Sequence, residues 1–432
     1  MRQDLVSVPV IVVLVLTAAA QPARAQAPPV PGVPAPPQVE SADPQAMLRE
    51  IARLRQEIED LRNSYSARLA ALETQVTALA ALQAAAAPVP PQPEPAAPAA
   101  PAASSKVFNP DIAVIGNAMG AAGRNGVAPS PSLELREAEV SFQAVVDPYA
   151  RADVFVSIGP GGANLEEGYV TFPTMPGGLL LRVGQMRTGF GKTNGQHPHT
   201  LPWPDRPLVM RNLLGGDEGI ADAGVSVARL IPNPWVFFEI TGQVARGNAG
   251  GVLHGSRAGD VSYLGRLRAY QDINESTNID VGTSFLAGHN DAGLSNGADL
   301  GRLTTRLFGA DLTVRYKPLR RAIYRSFVGR TEFVWSRRQQ FNGVQRAFGY
   351  YLSGDYQFAR RWYVGARVDR SNRAADASVL DTGLAAVLTY WPSEFSQIRG
   401  MYRRTRYAQS QTANEVLFQV QFAIGAHGAH PF

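Results

Sequence analysis

Two pairs of histidines are the residues in this sequence best suited to binding a metal ion. His197 and His199 are separated by one proline, and His427 and His430 lie close to the terminal Phe432. Histidines at such spacing can share one zinc ion, but a stable zinc site uses three or four ligands. The chain has no cysteine, and no carboxylate adjoins the C-terminal pair. Each pair is therefore an incomplete metal site, and we predict no cofactor.

Motifs for the common hydrolytic and nucleotide-dependent reactions are absent from the sequence. It contains no Gly-x-Ser-x-Gly nucleophile turn, no glycine-rich Walker loop and no His-Glu-x-x-His zinc motif. The isolated Gly189-Phe190-Gly191 indicates a loop and nothing more. We therefore predict that the protein is not an enzyme.

Arginine supplies almost all of the positive charge. Of 41 basic residues, set against 36 acidic ones, only Lys106, Lys192 and Lys317 are lysine. The charges are scattered at strand spacing, whereas a nucleic-acid-binding protein clusters them on one face or tail. Nucleic acid is therefore not a predicted partner. Arginine stays ionised at any relevant pH, and its planar donor fork suits carboxylate and phosphate groups.

A regular series of strands has to position these side chains. From Asp111 to Ile424 the sequence contains roughly sixteen strand-like runs of about 8–14 residues. The short connections contain Asp147-Pro148-Tyr149, Ile231-Pro232-Asn233-Pro234, Phe358-Ala359-Arg360-Arg361 and Trp391-Pro392-Ser393-Glu394, and the longer ones are 119–132, 188–218, 247–259 and 290–302. Tight turns at one end and long loops at the other are typical of bacterial outer-membrane barrels. The predicted fold over 106–432 is an all-β transmembrane barrel of antiparallel strands.

Alternation within the strands assigns one face to lipid and one to the lumen. In 416–424, Phe418, Val420 and Phe422 share a face, and Gln419 and Gln421 occupy the other. A soluble sandwich or barrel also has one apolar face. Sixteen strands, however, enclose more volume than side chains can fill, so we predict an apolar exterior and a water-filled interior.

The same alternation predicts a lumen wall of mixed charge, with a modest bias toward anions. The inward basic residues are Arg151, Arg182, Arg266, Arg268, Arg330, Arg367, Arg399 and Arg403. The inward acidic residues are Glu137, Glu139, Asp153, Glu239, Glu332 and Asp369. The alternative is that many of these arginines pair with facing acids and stiffen the wall.

The third external loop, 188–218, is the longest connection. Its four prolines and bulky aromatic residues predict a fixed, packed structure. We expect it to fold into the lumen and narrow the pore; the alternative is an outward cap or a contact between trimer subunits. The residues predicted to lie near the path are Lys192, His197, His199, Asp205, Arg206 and Arg211.

The N-terminal hundred or so residues divide into four predicted segments. Residues 1–25 resemble a signal peptide ending in Ala23-Arg24-Ala25, with an uncleaved anchor as the alternative. Pro/Ala-rich stretches at 26–42 and 85–105 predict a linker and a tether. Between them, residues 43–84 carry an apolar seam from Ile51 to Leu79 at three- and four-residue spacing. That spacing predicts a coiled coil, with a trimer preferred, or else a solitary amphipathic helix.

The C-terminal strand ends in a pattern that predicts a barrel-assembly signal. Phe418, Val420 and Phe422 alternate along one face, and the chain closes on Phe432. We expect the barrel-assembly machinery to recognise this end, with both chain ends on the periplasmic side.

This arrangement resembles the coiled-coil porins and the phosphate-selective porin O/P-like superfamily. The stretch Leu179 to Gly216, with Arg182-Val183-Gly184-Gln185, Asn194-Gly195-Gln196-His197-Pro198-His199 and Asp205-Arg206-Pro207-Leu208-Val209, is more specifically similar to a group labelled zinc-regulated outer-membrane receptors. That label implies an energy-coupled transporter, which has a plug domain and about twenty-two strands. This sequence departs from that pattern on both counts, and it also lacks the lysine-rich ladder of a phosphate channel.

Two functions follow from these patterns. The first is a porin for passive diffusion of small hydrophilic solutes, with a weak anion preference or a link to metal uptake. The second is a structural outer-membrane protein whose periplasmic segment 43–84 tethers the envelope to the cell wall. Lipid and further copies of the chain are the expected partners in either case.

Overall fold

The computed structural model describes residues 110–295, 298–408 and 410–425, together with five positions nearer the N-terminus. The chain forms two compact units, Met1–Ala100 and Pro101–Phe432. In the first unit, the five described positions are helical and exposed: Arg53, Gln56, Glu59, Asp60 and Thr74. The predicted signal peptide, linker, tether and C-terminal tail with Phe432 lie outside the described residues, as does the apolar seam of 43–84.

In the second unit, sixteen antiparallel strands close into one barrel. The strands are β1 (Asp111–Arg124), β2 (Leu133–Asp147), β3 (Ala150–Gly159), β4 (Gly162–Met175), β5 (Leu179–Arg187), β6 (Ala221–Leu230), β7 (Phe237–Ala245), β8 (Ser262–Asn274), β9 (Thr277–His289), β12 (Thr304–Tyr316), β13 (Ser326–Gln340), β14 (Gly343–Ala359), β15 (Trp362–Asn372), β16 (Leu380–Ser393), β17 (Ser396–Arg406) and β18 (Thr412–Gly425). The predicted fold and strand number are confirmed for this unit.

The other described elements lie in the connections. A two-stranded sheet pairs β10 (Leu294–Ser295) with β11 (Ala298–Asp299), and the helix α1 spans Leu208–Leu213. Three 3-10 turns cover Pro198–Thr200, Asp291–Gly293 and Leu319–Arg321. None of the helices in the described residues is both long and apolar enough to cross a membrane.

The predicted contrast between the two barrel ends is confirmed on average, with three corrections, one of which is the nine-residue connection 317–325 at the short-turn end. Residues 119–124 belong to β1, so the first long-end connection is 125–132. Two other connections at that end, 160–161 and 341–342, are as short as the tight turns. The longest connection runs from 188 to 220 and is the third at its end of the barrel, as the sequence predicted.

Burial follows the predicted alternation closely on the outer face. In β15, Trp362, Val364 and Val368 are exposed, whereas Arg367 and Asp369 are buried in the interior. Pleating sends successive side chains to opposite faces, so an apolar exterior requires a polar alternate set. The exterior is thus the surface that lipid would cover.

The interior differs from the expectation of a lumen filled with water throughout. Phe190, Val209 and Leu213 of the long connection are buried against wall residues such as Leu307 and Val334. Side chains from the connection 246–261 join the same core. Alternation shows which residues point inward but not which of them another segment will cover, so the sequence did not reveal this core.

We expect Leu352→Arg to lower the free energy of unfolding in lipid vesicles by about 2–4 kcal/mol, because a charge at mid-membrane depth on the lipid face loses hydration. Leu352 lies near the middle of β14 and is 57% exposed. Urea titration in vesicles measures the change, with Glu394→Arg in the turn 394–395 as control. A difference below about 0.5 kcal/mol would instead fit a surface bathed in water.

Candidate functional site

The connection 188–220, here named the lumen loop, crosses the inside of the barrel. The backbone N–H of Gly189 donates to Gln243 of β7 at 2.8 Å, and that of Leu208 donates to Asp369 of β15 at 3.1 Å. Gln421 of β18 donates to the carbonyl oxygen of His199 at 3.0 Å. These three strands are well separated around the closed ring. A single segment can contact all of them only by lying in the interior.

The start of the loop is held by Glu332 on the wall. Its carboxylate accepts hydrogen bonds from the backbone N–H groups of Lys192 at 3.1 Å and Thr193 at 2.8 Å. Gly191 has a φ of 62°, and a Cβ there would lie 2.2 Å from Glu332 Oε2, so the approach requires glycine. Lys192 Nζ also pairs with Asp280 of β9 at 2.7 Å. This arrangement fixes Lys192 against the wall.

Asp205 anchors the far side of the loop between two wall arginines. Its carboxylate oxygens lie 2.9 Å from Arg367 Nη2 and 2.8 Å from Arg403 Nη1. Each arginine also pairs with a wall carboxylate, Asp369 at 2.8 Å and Glu415 at 2.6 Å respectively. Burial raises the pKa of Asp205, but the two guanidinium groups outweigh burial and lower it to about 2. The loop therefore places a buried negative charge between two positively charged side chains of the wall.

Arg206 and Arg211 hold the loop's own fold. Arg206, only 1% exposed, donates to the carbonyl oxygens of Asp217 at 2.6 Å, Gln196 at 2.8 Å and Thr193 at 3.2 Å. Arg211 pairs with the carboxylate of Asp217 at 2.9 Å. Arg206, which the sequence placed near the solute path, has its guanidinium enclosed by the loop's carbonyl groups.

Both histidines of the loop lie in a group of acidic side chains, here named the histidine–glutamate cluster. The cluster consists of Glu137 and Glu139 of β2, Glu166 and Glu167 of β4, and His197 and His199. His197 Nδ1 lies 2.8 Å from Glu139 Oε2 and 3.0 Å from Glu166 Oε2, and Nε2 lies 2.7 Å from Glu167 Oε2. Burial lowers the pKa of His197, but these three carboxylates outweigh burial and raise it to about 11.

A β-bulge brings the two glutamates of β4 into the cluster together. Phe155 of β3 pairs with Glu167 and Val156 pairs with Leu165, which leaves Glu166 as the extra residue. A bulge breaks the strict alternation of a strand, so both neighbouring glutamates are buried in the interior. Strict alternation puts only one of two neighbouring residues inside, so it could not have predicted the pair, and neither was among the predicted inward acids.

Most of the predicted wall arginines are neutralised by carboxylates. Six of the eight form ion pairs: Arg151 with Asp153, Arg266 with Asp311, Arg268 with Asp280, Arg330 with Asp355, Arg367 with Asp369 and Arg403 with Glu415. Glu239 lies beside Arg268 in the sheet register. Most of the predicted wall arginines thus fit the alternative in which ion pairs stiffen the wall.

Arg182 and Arg399 are the two exceptions. Among the described residues, neither has a carboxylate within 4.0 Å. Arg182 lies over the ring of Tyr169 at 5.4 Å, and Arg399 donates to Gln419 at 2.8 Å and Thr389 at 3.2 Å. Arg399 also lines a cavity between the lumen loop and the wall. Among the eight predicted wall arginines, these two carry a charge that no described carboxylate pairs with, and Arg399 is only 3% exposed.

Comparison with known proteins establishes the fold. No protein-family model matches the chain. An uncharacterized protein of Aquifex aeolicus (strain VF5) is 29% identical over 338 residues, which cover 69% of this chain and 70% of that one. A loop-deletion form of OmpT, an outer-membrane protein of Vibrio cholerae, matches with a TM-score of 0.50 at 11% identity, over 73% of this chain and 98% of that one. The chain has the fold of an outer-membrane β-barrel.

A second solved structure agrees. OprB of Pseudomonas putida matches with a TM-score of 0.50 at 9% identity, over 73% of this chain and 94% of that one. At this identity the likeness concerns the fold alone, so the lumen of this chain has to be interpreted from its own residues.

We expect Asp205→Asn to loosen the lumen loop at pH 7 and to destabilise the fold by about 2–4 kcal/mol, because two buried arginines each lose an ionic partner. Asp205 ionises well below its ordinary pKa of 3.8 when folded. Its contribution is therefore full above about pH 4 and is lost as the pH falls toward about 2.

The emission of Trp203, which lies 4.8 Å from the Arg367 guanidinium, reports the change after subtraction of a Trp203→Phe background. The parent should keep its emission from pH 7 to about 4 and change below that range, whereas Asp205→Asn should differ already at pH 7. Asp376→Asn, at an exposed aspartate of the connection 373–379, is the control. Identical emission from the parent and Asp205→Asn at pH 7 would contradict the conclusion that Asp205 holds the lumen loop to the wall.

Proposed function

We propose that this protein is a porin of the bacterial outer membrane, through which small hydrophilic solutes diffuse past the lumen loop without catalysis. The observation that supports the proposal most directly is the fixed passage of this loop across a closed barrel with an apolar exterior. Ion pairs hold the loop to the wall near its start, at Lys192, and in its middle, at Asp205, so that it narrows the interior.

The proposed solute preference is weak and favours anions. Of the eight predicted wall arginines, Arg182 and Arg399 have no carboxylate partner within 4.0 Å in the described part of the chain, and a guanidinium suits carboxylate or phosphate. The other predicted wall arginines already have acidic partners, which limits the bias. Membership of the phosphate-selective porin O/P-like superfamily, and of its zinc-regulated group, remains a proposal that rests on the motif residues in the lumen loop.

The proposed assembly is a homotrimer joined through residues 43–84 on the periplasmic side. The helical state of Arg53, Glu59 and Thr74 supports a helix in this segment. We further propose that Phe418, Val420, Phe422 and Phe432 guide insertion by the barrel-assembly machinery. Phe418 and Phe422 are exposed on the outer face, where such a factor would meet them.

A structural role is the second candidate, and one observation favours it. The apolar core around Phe190, Trp203 and Val209 fills part of the interior, which reduces the space left for solutes. In that case segment 43–84 would link the barrel to the cell wall, and the barrel would conduct no ions.

Conductance in planar bilayers separates the two functions. The porin predicts stable single-channel steps, and removal of residues 195–212 should raise the conductance about twofold or more, because conductance grows with the open cross-section. Replacement of 319–323, in a turn at the other end of the barrel, by glycine and serine is the control. If the folded parent protein shows no conductance, the structural role is favoured. Unchanged conductance after the deletion would mean that the loop does not narrow the solute path.

Substitution of the two unpaired arginines tests the anion preference. In a potassium chloride gradient, Arg182→Gln and Arg399→Gln together should shift the reversal potential toward cation selectivity, because each removes a positive charge from the wall. Arg320→Gln, in the exposed connection 317–325, should leave the potential unchanged. Equal potentials for the parent and the double variant would place the anion preference elsewhere.

A further inference from the structure

The histidine–glutamate cluster has the geometry of a metal site. His197 Nδ1, Glu139 Oε2 and Glu166 Oε2 all lie within 4.8 Å of one another, and the two nitrogen–oxygen distances are 2.8 and 3.0 Å. Ligand atoms about 2.1 Å from one ion are separated by about 3.0 Å in octahedral geometry and about 3.4 Å in tetrahedral geometry. The two nitrogen–oxygen separations match octahedral spacing around one small cation, and they also match a protonated imidazole between two carboxylates.

Two of these atoms are buried without a hydrogen bond when the His197 ring is neutral. Glu139 is 2% exposed; with the ring proton on Nε2, its Oε2 and His197 Nδ1 have no hydrogen-bond partner, and the two atoms face each other at 2.8 Å. Buried polar atoms in native proteins are almost always satisfied, so each such pair needs an explanation. A cation bound by both atoms satisfies them together.

The second ring nitrogen of His197 is held as in many metal sites. Its Nε2 lies 2.7 Å from Glu167 Oε2, within hydrogen-bonding distance. A histidine that binds a metal commonly donates its other ring N–H to a carboxylate, which fixes the tautomer and orients the ring. With the proton on Nε2, the lone pair of Nδ1 is directed toward Glu139 and Glu166.

The charges around the site also favour a cation. Four glutamates of the cluster lie close together, and Arg187 pairs with Glu166 at one edge. His199 Nδ1 lies 3.6 Å from Glu139 Oε2 and supplies a second imidazole beside the three ligand atoms. When His197 is neutral, a divalent ion offsets much of the remaining negative charge.

We propose that Glu139, Glu166 and His197 bind one divalent cation that accepts mixed nitrogen and oxygen ligands, with Zn²⁺ as the probe ion. The ion takes the place of a proton on His197 Nδ1, and that proton is released to solvent on binding. Because the ligands come from β2, β4 and the lumen loop, the bound ion joins the loop to the wall. Asp205 holds the same loop against different strands, β15 and β17.

Zinc binding to the full-length protein in detergent tests the proposal. After treatment with a chelator and equilibrium dialysis, mass spectrometry should find about one zinc ion per chain. Glu139→Gln and His197→Ala should each weaken the affinity tenfold or more, since each removes a ligand. Glu139→Gln keeps the side-chain shape, and heat-modifiable migration in gels checks that both variants fold as barrels.

Two controls distinguish this site from other histidines. His254→Ala alters a histidine of the connection 246–261, and the double variant His427→Ala/His430→Ala alters the C-terminal pair. Both controls should keep the bound zinc. The proposal is overturned if the folded parent binds no zinc, if Glu139→Gln and His197→Ala bind it as tightly as the parent, or if the C-terminal variant alone loses it. None of these results depends on channel activity.

Discussion

Closure of the sheet between the first and last strands is the constraint on which the rest of the molecule depends. β1 and β18 pair continuously from Ala113 opposite Gly425 to Arg124 opposite Asn414. An open edge would leave backbone N–H and C=O groups unpaired, which is very unfavourable in lipid. Once the ring is closed, every second side chain must face the interior. The chemistry of the lumen is therefore decided by one of the two faces of each strand.

The inward charges of the closed wall need partners, and the lumen loop supplies some of these partners. Arg367 and Arg403 each have a wall carboxylate, and Asp205 adds a second one to both. Glu332 acts in the opposite sense, because this wall carboxylate accepts hydrogen bonds from the loop backbone. The loop is thus bound by groups that would otherwise remain incompletely paired inside the barrel. Removing one partner of such a buried pair costs more than the pair contributes net.

Alternation in the sequence was sufficient to predict the strands, their number and the face of the sheet on which residues such as Arg367 and Phe418 lie. It was insufficient for the site, because the decisive contacts join residues far apart in the chain, as Asp205 and Arg403 are. The bulge at Glu166 shows a second reason: one extra residue reverses the sidedness that alternation assigns. The histidines were recognised as metal-binding types, but their carboxylate partners come from two other strands.

Glycines in the wall show that the loop's position is encoded in the barrel as well as in the loop. A Cβ at Gly309 of β12 would lie 2.7 Å from the ring of Phe190, and one at Gly349 of β14 would lie 2.8 Å from Val209. Glycine weakens a strand, and it often marks a place where another segment approaches closely. Wall and loop therefore fit each other at separate points on the interior surface. A solute that crosses this barrel has to pass between the two, along a path whose walls are both fixed.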